Sequence, residues 1–497
     1  MCRSPLSIVL AFLLSSVVLS CGGRQASTPS GTGGQTSTPG GTSGSGGLQS
    51  PPAGGAGAGG GSVATGGAGT AGGTTTMGGM TNTGASSGGS EPTGCTTTLG
   101  GATTGGTTTG GTTSTGASFA GLHAVPGSNG RAGQIVDKNG HIVVLHGVDE
   151  SGTENYCTTW GPPPIVISPQ GGPSPLTQDS LTAMKQWGIN TVRIPLNEDC
   201  WLGINGVNPV AGGASYQEPI LDAVDLITQT NGMYVILDLH WAAPGTILPT
   251  AQGTMPDLDH TVTFWQQVAA AYKDNGSVIF DLFNEPVMSG SDDQQFNCWK
   301  NGSTTVSGGA CPMVNFAVAG MQQLLTTVRQ AGANNLVMLG GIGYAATLDL
   351  WPQYVPTDTL SPPNIAASWH VYDDQGGCTA DGPTTVSTLC SSGSGRGGAA
   401  VMNAGYPIVV GETGYYSCSA AVGQAWWPLF LSWADAQGIG FVAWSWSDGN
   451  NPQLLANTTS FTPGGIGPTY KQYLQCIAGK TVTPATSCTF VPTTGCE

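Results

Sequence analysis

Eight short runs of β-branched and apolar residues alternate with longer amphipathic stretches beyond about residue 140. Alternation of this kind is typical of repeated βα units. The predicted strands lie at 142–148, 191–194, 234–239, 278–283, 336–339, 365–369, 407–410 and 439–444. The predicted helices lie at 177–186, 219–230, 259–272, 315–331 and 420–436, and the fifth and sixth connections are irregular. This pattern predicts an α/β fold, a (β/α)8 TIM barrel, whose chemistry is expected at the carboxyl ends of the strands.

The chain starts with a different kind of sequence. Arg3 is followed by an apolar run, 6–19, that is too short to span a bilayer comfortably, so residues 1–20 are predicted to be an export signal peptide. The run ends in Val-Leu-Ser-Cys-Gly, which resembles a bacterial lipobox with Cys21 as the lipidated residue. We therefore expect an exported cell-envelope lipoprotein, with ordinary secretion after cleavage nearby as the alternative.

Residues 21–118 consist mostly of Gly, Thr, Ser and Ala, with Arg24 and Glu91 as the only charged residues. Such a segment cannot bury enough apolar surface to offset the entropy lost on ordering, so it is predicted to be a disordered, flexible linker. The catalytic domain is expected at 119–478, followed by a Cys-containing tail at 479–497.

The charge of the chain limits its partners. Asp and Glu number 28 against 12 Lys and Arg, and the sequence has no basic run. This balance argues against nucleic acid or anionic lipid as a partner and favours a neutral substrate. Membrane contact is expected only through a lipid on Cys21, and the protein is expected to be a monomer.

Thirteen cysteines favour an oxidising compartment, and they form no pattern typical of metal ligands. We therefore expect no metal and no cofactor. The connectivity of the disulfides stays open, since sequence alone does not fix it. Local pairs that could form are Cys157 with Cys200, Cys298 with Cys311, Cys378 with Cys390, and Cys488 with Cys496.

Two glutamates follow predicted strands directly. Glu285 stands at the end of the run 278–283, before Pro286, which cannot donate a ladder hydrogen bond. Glu412 follows the strand at 407–410. A single glutamate in this position could be a solvated loop charge or a helix cap, but two are the minimum apparatus of retaining glycoside hydrolysis. Further polar or aromatic residues fall at strand ends, namely Arg193, His240, Asn284, His370, Tyr372 and Trp444.

The opening GQIVDKNGHIVVLHGV at 133–148 and the Asn284-Glu285-Pro286 tripeptide at a strand end resemble glycoside hydrolase family 5, the cellulase-type family of clan A. The resemblance covers about 133–476. It implies a (β/α)8 retaining β-glycanase in which Glu285 is the acid/base and Glu412 is the nucleophile. Their carboxyl groups should then lie about 5 to 5.5 Å apart.

The same resemblance implies roles in substrate binding for the remaining strand-end residues. Asn284 would bond the sugar 2-hydroxyl, while Arg193 and Tyr372 would keep Glu412 ionised and oriented. His240 and His370 would contact the sugar or the catalytic carboxylates.

The resemblance also makes Trp444 the stacking platform for the sugar. Trp446 lies two residues on, so one of the two could pack more deeply instead. Further platforms in expected loops, each of which could equally be a packing residue, are Trp160, Trp201, Trp241, Trp299 and Trp351.

The function implied is hydrolysis of β-1,4-glycosidic bonds in a plant-type polysaccharide, with endo-β-1,4-glucanase as the first choice. An endo-β-1,4-mannanase or another β-glucanase is the nearest alternative, since the same residues serve all of these activities. From another class, an inactive carbohydrate-binding surface lipoprotein has little support, because both glutamates, the arginine and the tyrosine are present and an inactive enzyme usually lacks one of them. A structural envelope protein would explain the linker and the cysteines but not the row of strand-end residues.

Overall fold

The computed structural model describes residues 121–160, 176–372, 397–415 and 420–478. Several sequence predictions concern residues outside these ranges. They are the signal peptide at 1–20, the linker at 21–118 with Cys21, the tail at 479–497, and the pairs Cys378–Cys390 and Cys488–Cys496.

Eight parallel strands close into a barrel, which confirms the predicted fold. Two short antiparallel hairpins accompany the barrel, β1 (His123–Val125) with β2 (Gln134–Val136) and β11 (Leu455–Asn457) with β12 (Thr462–Pro463). The barrel strands, in spatial order from β3 to β10, are β3 (His146–Asp149), β4 (Thr191–Asn197), β5 (Tyr234–Trp241), β6 (Val278–Asp281), β7 (Val337–Gly340), β8 (Ile365–Tyr372), β9 (Ile408–Gly414) and β10 (Gly440–Ala443). β10 pairs with both β9 and β3, and this pairing closes the barrel.

The helices lie between the strands in the order expected for βα units. They are α1 (Gln178–Trp187), α2 (Glu198–Leu202), α3 (Ala214–Asp225), α4 (Thr261–Tyr272), α5 (Asp292–Asn301), α6 (Met321–Gln330), α7 (Trp351–Tyr354), α8 (Gly398–Asn403), α9 (Ala420–Gln437) and α10 (Gly467–Ile477). Two π-helical turns occupy Tyr156–Trp160 and Leu226–Thr230. Within the described residues, none of the helices combines the length and the apolar character needed to cross a membrane.

Several element bounds differ from the sequence prediction for local reasons. The first barrel strand begins at His146 rather than at 142, because Ile142 pairs with Val136 of the β2 hairpin instead. α6 begins at Met321 rather than at 315, since Val318 forms bridges to Asp257 and Ser303. In both places the backbone N–H and C=O groups form these bridges instead of the hydrogen bonds of the longer strand or helix that was predicted.

The apolar core has two layers, separated by the alternation of side chains along each strand. On β5, Val235, Leu237 and Leu239 belong to the cluster between barrel and helices. Ile236 points to the opposite face and belongs to a second cluster inside the barrel. That inner cluster also contains residues of the β1–β2 hairpin, namely Leu122, Ala124 and Ile135. It fills one end of the barrel interior with hydrocarbon.

Two of the predicted disulfides are present among the described residues. Cys157 is bonded to Cys200, which ties a π-helical turn to α2. Cys298 of α5 is bonded to Cys311, and all four cysteines are buried. Both bridges therefore join segments that follow barrel strands.

Candidate active site

Glu285 and Glu412 lie close together, although they come from different strands. β6 ends at Asp281, and four residues on, Glu285 follows Asn284, whose backbone N–H donates to the Leu239 carbonyl of β5 at 3.0 Å. Glu412 lies within β9. One carboxylate oxygen of each glutamate and a ring nitrogen of His370 lie within 4.8 Å of one another. This spacing fits the short separation of a retaining pair and not the 6.5–9.5 Å of an inverting one.

Both oxygens of Glu412 accept a hydrogen bond from a buried donor. Arg193 Nη1 donates to Oε1 at 2.9 Å, and the Tyr372 hydroxyl donates to Oε2 at 2.8 Å. The side chain of Glu412 is 7% exposed. Two donors, one from β4 and one from β8, therefore fix the orientation of this carboxylate.

Glu285 is paired with His370 instead. Its Oε1 lies 2.9 Å from His370 Nδ1, and its side chain is 18% exposed. Burial lowers the pKa of His370 to about 4, against an opposing influence of Glu412. The imidazole is therefore neutral near pH 7, and it forms a hydrogen bond with Glu285 without placing a positive charge beside it.

Arg193 is fully buried and forms ion pairs with carboxylates from four strands. Its guanidinium lies 2.8 Å from Asp149 and 2.9 Å from Glu412 through Nη1. Through Nη2 it lies 3.1 Å from Asp238 and 3.3 Å from Asp281. Burial acts to lower the pKa of Arg193, but these carboxylates raise it well above its usual value, so the charge is permanent.

The buried carboxylates differ in their readiness to lose a proton. Burial raises the pKa of Asp149 well above its usual range, and burial raises that of Asp281 to about 7 despite the lowering effect of Arg193. When Asp149 or Asp281 is protonated, fewer negative charges surround the guanidinium of Arg193.

Asn284 has a defined amide orientation because of Arg193. Arg193 Nη2 donates to Asn284 Oδ1 at 2.8 Å, so Oδ1 must be the acceptor. The Nδ2 group is then the donor, and it bonds Gln252 Oε1 at 3.0 Å.

His240 lies beside this pair. Its Nδ1 is 2.6 Å from Asp238 Oδ2, and its ring stacks on Trp444 with a centroid distance of 5.6 Å. Burial lowers the pKa of His240, but Asp238, with Glu412 and Glu154, more than offsets this and raises it to about 9. The imidazolium therefore covers one face of the half-buried Trp444 ring.

The other tryptophans are distributed differently from the sequence expectation. Trp446 is fully buried and donates to Ser180 Oγ at 3.0 Å, so it packs rather than facing a cleft. Trp201, Trp299 and Trp351 lie in helices α2, α5 and α7, and not in loops, and all three are buried. Trp241 is half-buried at the end of β5. Trp160 ends a π-helical turn, and its side chain lies outside the described part of the structure.

The sequence interpretation missed Asp149, Asp238, Asp281 and Gln252. The three aspartates stand inside short apolar runs, in HGVD, VILDLH and VIFDLF. A carboxylate in a strand buried on both faces must have a buried partner, and that requirement was the available signal. Gln252 carries no such signal, because it lies in an irregular connection.

Comparison with known proteins places this geometry in context. Residues 136–450 match the family described as cellulase (glycosyl hydrolase family 5). The chain is 23% identical over 261 residues to an endoglucanase of Clostridium saccharobutylicum, covering 51% of this chain and 44% of that protein. It is 26% identical over 178 residues to endoglucanase A of Butyrivibrio fibrisolvens, covering 34% of this chain and 32% of that protein. The chain thus spans less than half the length of either relative.

Among solved structures, the β-glucanase SdGluc5_26A of Saccharophagus degradans has a TM-score of 0.50 and 17% sequence identity. The superposition covers 71% of this chain and 93% of that one. This likeness shows a shared fold.

Replacing Arg193 by Met should destabilise the protein strongly. The substitution leaves Asp149, Asp281 and Glu412 without their positive partner, and breaking a buried ion pair costs about 3–5 kcal/mol. Urea denaturation at pH 7 measures the loss in the free energy of unfolding. Arg131→Met, outside the site, is the control and should change stability by less than about 0.5 kcal/mol. An equally small change for Arg193→Met would contradict the counter-ion role.

His370 should make the protein sensitive to acid. Its pKa of about 4 lies below the ordinary value of 6.5, so its contribution to stability is present above pH 6.5 and is lost as pH falls toward 4. In His370→Asn, the decline in unfolding free energy over this window should be smaller by up to about 3 kcal/mol. Denaturation curves at several pH values test this, with the exposed His141→Asn as a control that keeps the wild-type decline. Parallel pH profiles for His370→Asn and wild type would refute the assignment.

Proposed function

The chain belongs to glycoside hydrolase family 5, and from this premise we propose that it is a retaining endo-β-1,4-glucanase that cleaves a plant-type glucan. The observation that carries the proposal is the pair of glutamates with oxygens within 4.8 Å, one bonded to Arg193 and Tyr372 and the other to His370. The two carboxyl groups thus have different surroundings, as an acid and a nucleophile require.

The proposed reaction has two steps. In the first, Glu412 attacks the anomeric carbon while Glu285 gives its proton to the departing glycosidic oxygen, and a glycosyl ester forms on Glu412. In the second, Glu285 removes a proton from water, which attacks the same carbon and releases Glu412. Two inversions leave the configuration unchanged, and each group returns to its starting state.

The contacts of Glu412 and Glu285 support this division of roles. Glu412 is held by a permanent cation and a hydroxyl, which suits a group that must be an oriented anion when substrate arrives. Glu285 faces a neutral imidazole and is the more exposed of the two, which suits a group that must exchange protons with substrate and water.

Asn284 is proposed to bind the sugar 2-hydroxyl. Because Arg193 fixes Oδ1 as the acceptor, the Nδ2 group remains the donor, and in the free protein it bonds Gln252. Substrate would compete with Gln252 for this donor. A hydrogen bond to the 2-hydroxyl strengthens as charge develops in the transition state.

The proposal of a glucan substrate rests on the relatives and on the charge of the chain, and not on the geometry of the two glutamates. The two matched relatives are named endoglucanases, and the acidic chain suits a neutral polymer. An endo-β-1,4-mannanase would use the same pair of glutamates. Glucan and mannan differ at the 2-hydroxyl, so relative rates on the two polymers separate these activities.

Substitution of the two glutamates should separate their roles. Glu285→Gln should lower the rate on carboxymethylcellulose by about 10²- to 10⁴-fold, the usual contribution of a general acid. Glu412→Ala should abolish hydrolysis of an aryl β-cellobioside, and added azide should restore cleavage with an α-linked azide as product. Glu285→Ala with azide should give the β-linked product instead, because azide then attacks the glycosyl-enzyme. NMR of the products distinguishes the two.

Exposed Glu218→Gln on α3 is the matched control and should keep wild-type rates. Azide products of the same configuration from both alanine variants would overturn the assignment of roles. A faster rate on galactomannan than on carboxymethylcellulose would move the substrate to mannan. Absence of activity on glucan, mannan, xylan and laminarin, with polymer binding retained, would favour an inactive binding protein.

We also propose that the protein is exported and carries a lipid on Cys21. The support is the signal-like segment at 1–20, together with the two disulfides of the folded part, which form in oxidising compartments. The lipid would attach the folded domain to the envelope through the segment 21–118.

Detergent phase partitioning of the full chain expressed in a bacterial host tests the lipid. Wild type should enter the detergent phase, and Cys21→Ala should remain in the aqueous phase. Cys95→Ala is the control and should behave as wild type. Aqueous partitioning of the wild type, with a mature N-terminus other than Cys21, would replace the anchored form with a secreted one.

A further inference from the structure

A second group of buried carboxylates lies outside the catalytic pair and has no role in the proposed reaction. Glu198 and Asp199 begin α2 directly after β4, and Asp257 and His260 precede α4. The three carboxylate residues are 0% exposed, and the His260 side chain is 22% exposed. Two connections of the barrel thus bring their acidic residues together.

The potential ligand atoms converge. One carboxylate oxygen each of Glu198 and Asp199 and one ring nitrogen of His260 lie within 4.8 Å of one another. His260 Nδ1 lies 3.8 Å from Glu198 Oε1 and 3.7 Å from Asp257 Oδ1. Asp259 also has an oxygen within 4.8 Å of Asp257 and His260 ligand atoms. His260 is therefore the residue that belongs both to the set with Glu198 and Asp199 and to the set with Asp257 and Asp259.

Four of these buried atoms have no hydrogen-bond partner among the described residues. They are Glu198 Oε1, both side-chain oxygens of Asp199, and His260 Nδ1. The other atoms of the group are satisfied, since Thr261 Oγ1 donates to Glu198 Oε2 at 2.5 Å and the His260 backbone N–H donates to Asp257 Oδ1 at 2.8 Å. A buried polar atom without a partner costs free energy, and here four such atoms lie together.

The described residues provide no counter-ion beyond His260. None of the Lys and Arg ion pairs found in that part of the chain includes Glu198, Asp199 or Asp257. A proton shared between Glu198 and Asp257 would remove one negative charge. It would still leave His260 Nδ1 without a partner, and it would leave Asp199 with only the favourable influence of the Asn205 amide, which forms no hydrogen bond of normal geometry with either Asp199 oxygen. Proton sharing therefore does not account for the whole group.

We propose that Glu198, Asp199 and His260, with Asp257 beside them, bind a divalent cation that accepts both nitrogen and oxygen ligands, Mn²⁺ or Zn²⁺. Carboxylates alone would suit Ca²⁺ or Mg²⁺, but an imidazole nitrogen among the ligands favours a transition metal. The cation would join the segment after β4 to the segment before α4 and would stabilise the barrel without taking part in hydrolysis.

Metal binding to the chelator-treated full chain tests the proposal. Isothermal titration should show one equivalent of Mn²⁺ or Zn²⁺ and weaker binding of Mg²⁺ and Ca²⁺. At a metal concentration about 100 times Kd, the thermal unfolding midpoint should rise by roughly 5 °C. His260→Gln and Glu198→Gln should each weaken binding about tenfold or more. The exposed Asp222→Asn on α3 is the control and should bind as wild type does.

Two results would overturn the site. One is a wild-type chain that binds none of these cations stoichiometrically, a measurement that does not depend on the folding of any variant. The other is Mn²⁺ or Zn²⁺ binding that His260→Gln leaves unchanged, which would place the cation elsewhere. Hydrolysis plays no part in these measurements, so their outcome is independent of the proposed glucanase activity.

Discussion

The buried guanidinium of Arg193 is the interaction on which the centre of the barrel depends. It pairs with carboxylates from β3, β5, β6 and β9, and it also fixes the amide of Asn284. Because one cation serves four strands, the positions of these strands relative to one another are coupled to the charge balance. The side chain proposed as nucleophile is one of the four carboxylates, so the same interaction that balances the interior also positions Glu412.

The barrel interior changes from apolar to charged side chains along the direction of its strands. Alternation along β5 places Ile236, Asp238 and His240 on one face, in an order that runs from hydrocarbon through a buried carboxylate to a charged imidazole near Trp444. Apolar side chains from the β1–β2 hairpin fill the opposite end. Water is thus excluded beneath the charged layer, which strengthens the electrostatic interactions there relative to those in solvent.

Local sequence patterns predicted the barrel and the placement of the strand-end residues, because a strand followed by a polar residue is recognisable from a few neighbours. Glu285, Glu412, Arg193, Tyr372 and His370 could be located in this way. The residues that link them could not. The burial of Asp149 and Asp281 is explained only by their ion pairs with Arg193, which lies on another strand. A local sequence pattern does not predict a contact between strands. Trp201 and Trp351 are expected in loops from the sequence because their helices, of 5 and 4 residues, are too short to show an apolar period. Trp299 is expected in a loop because most residues of α5 are polar.

The buried carboxylates around Arg193 and those around Asp199 have different positive partners among the described residues. Around Arg193, one guanidinium lies within 3.3 Å of an oxygen of each of four carboxylates. The second oxygens of Asp149, Asp238 and Asp281, and Arg193 Nε, have no hydrogen-bond partner among the described residues. Around Asp199, the only cationic side chain among the described residues is the partly buried His260, which faces three carboxylates, and four atoms lack partners there. Both groups carry a desolvation cost, and among the described residues only the first has a Lys or Arg counter-ion. A cation from solution would supply for the second group what Arg193 supplies for the first.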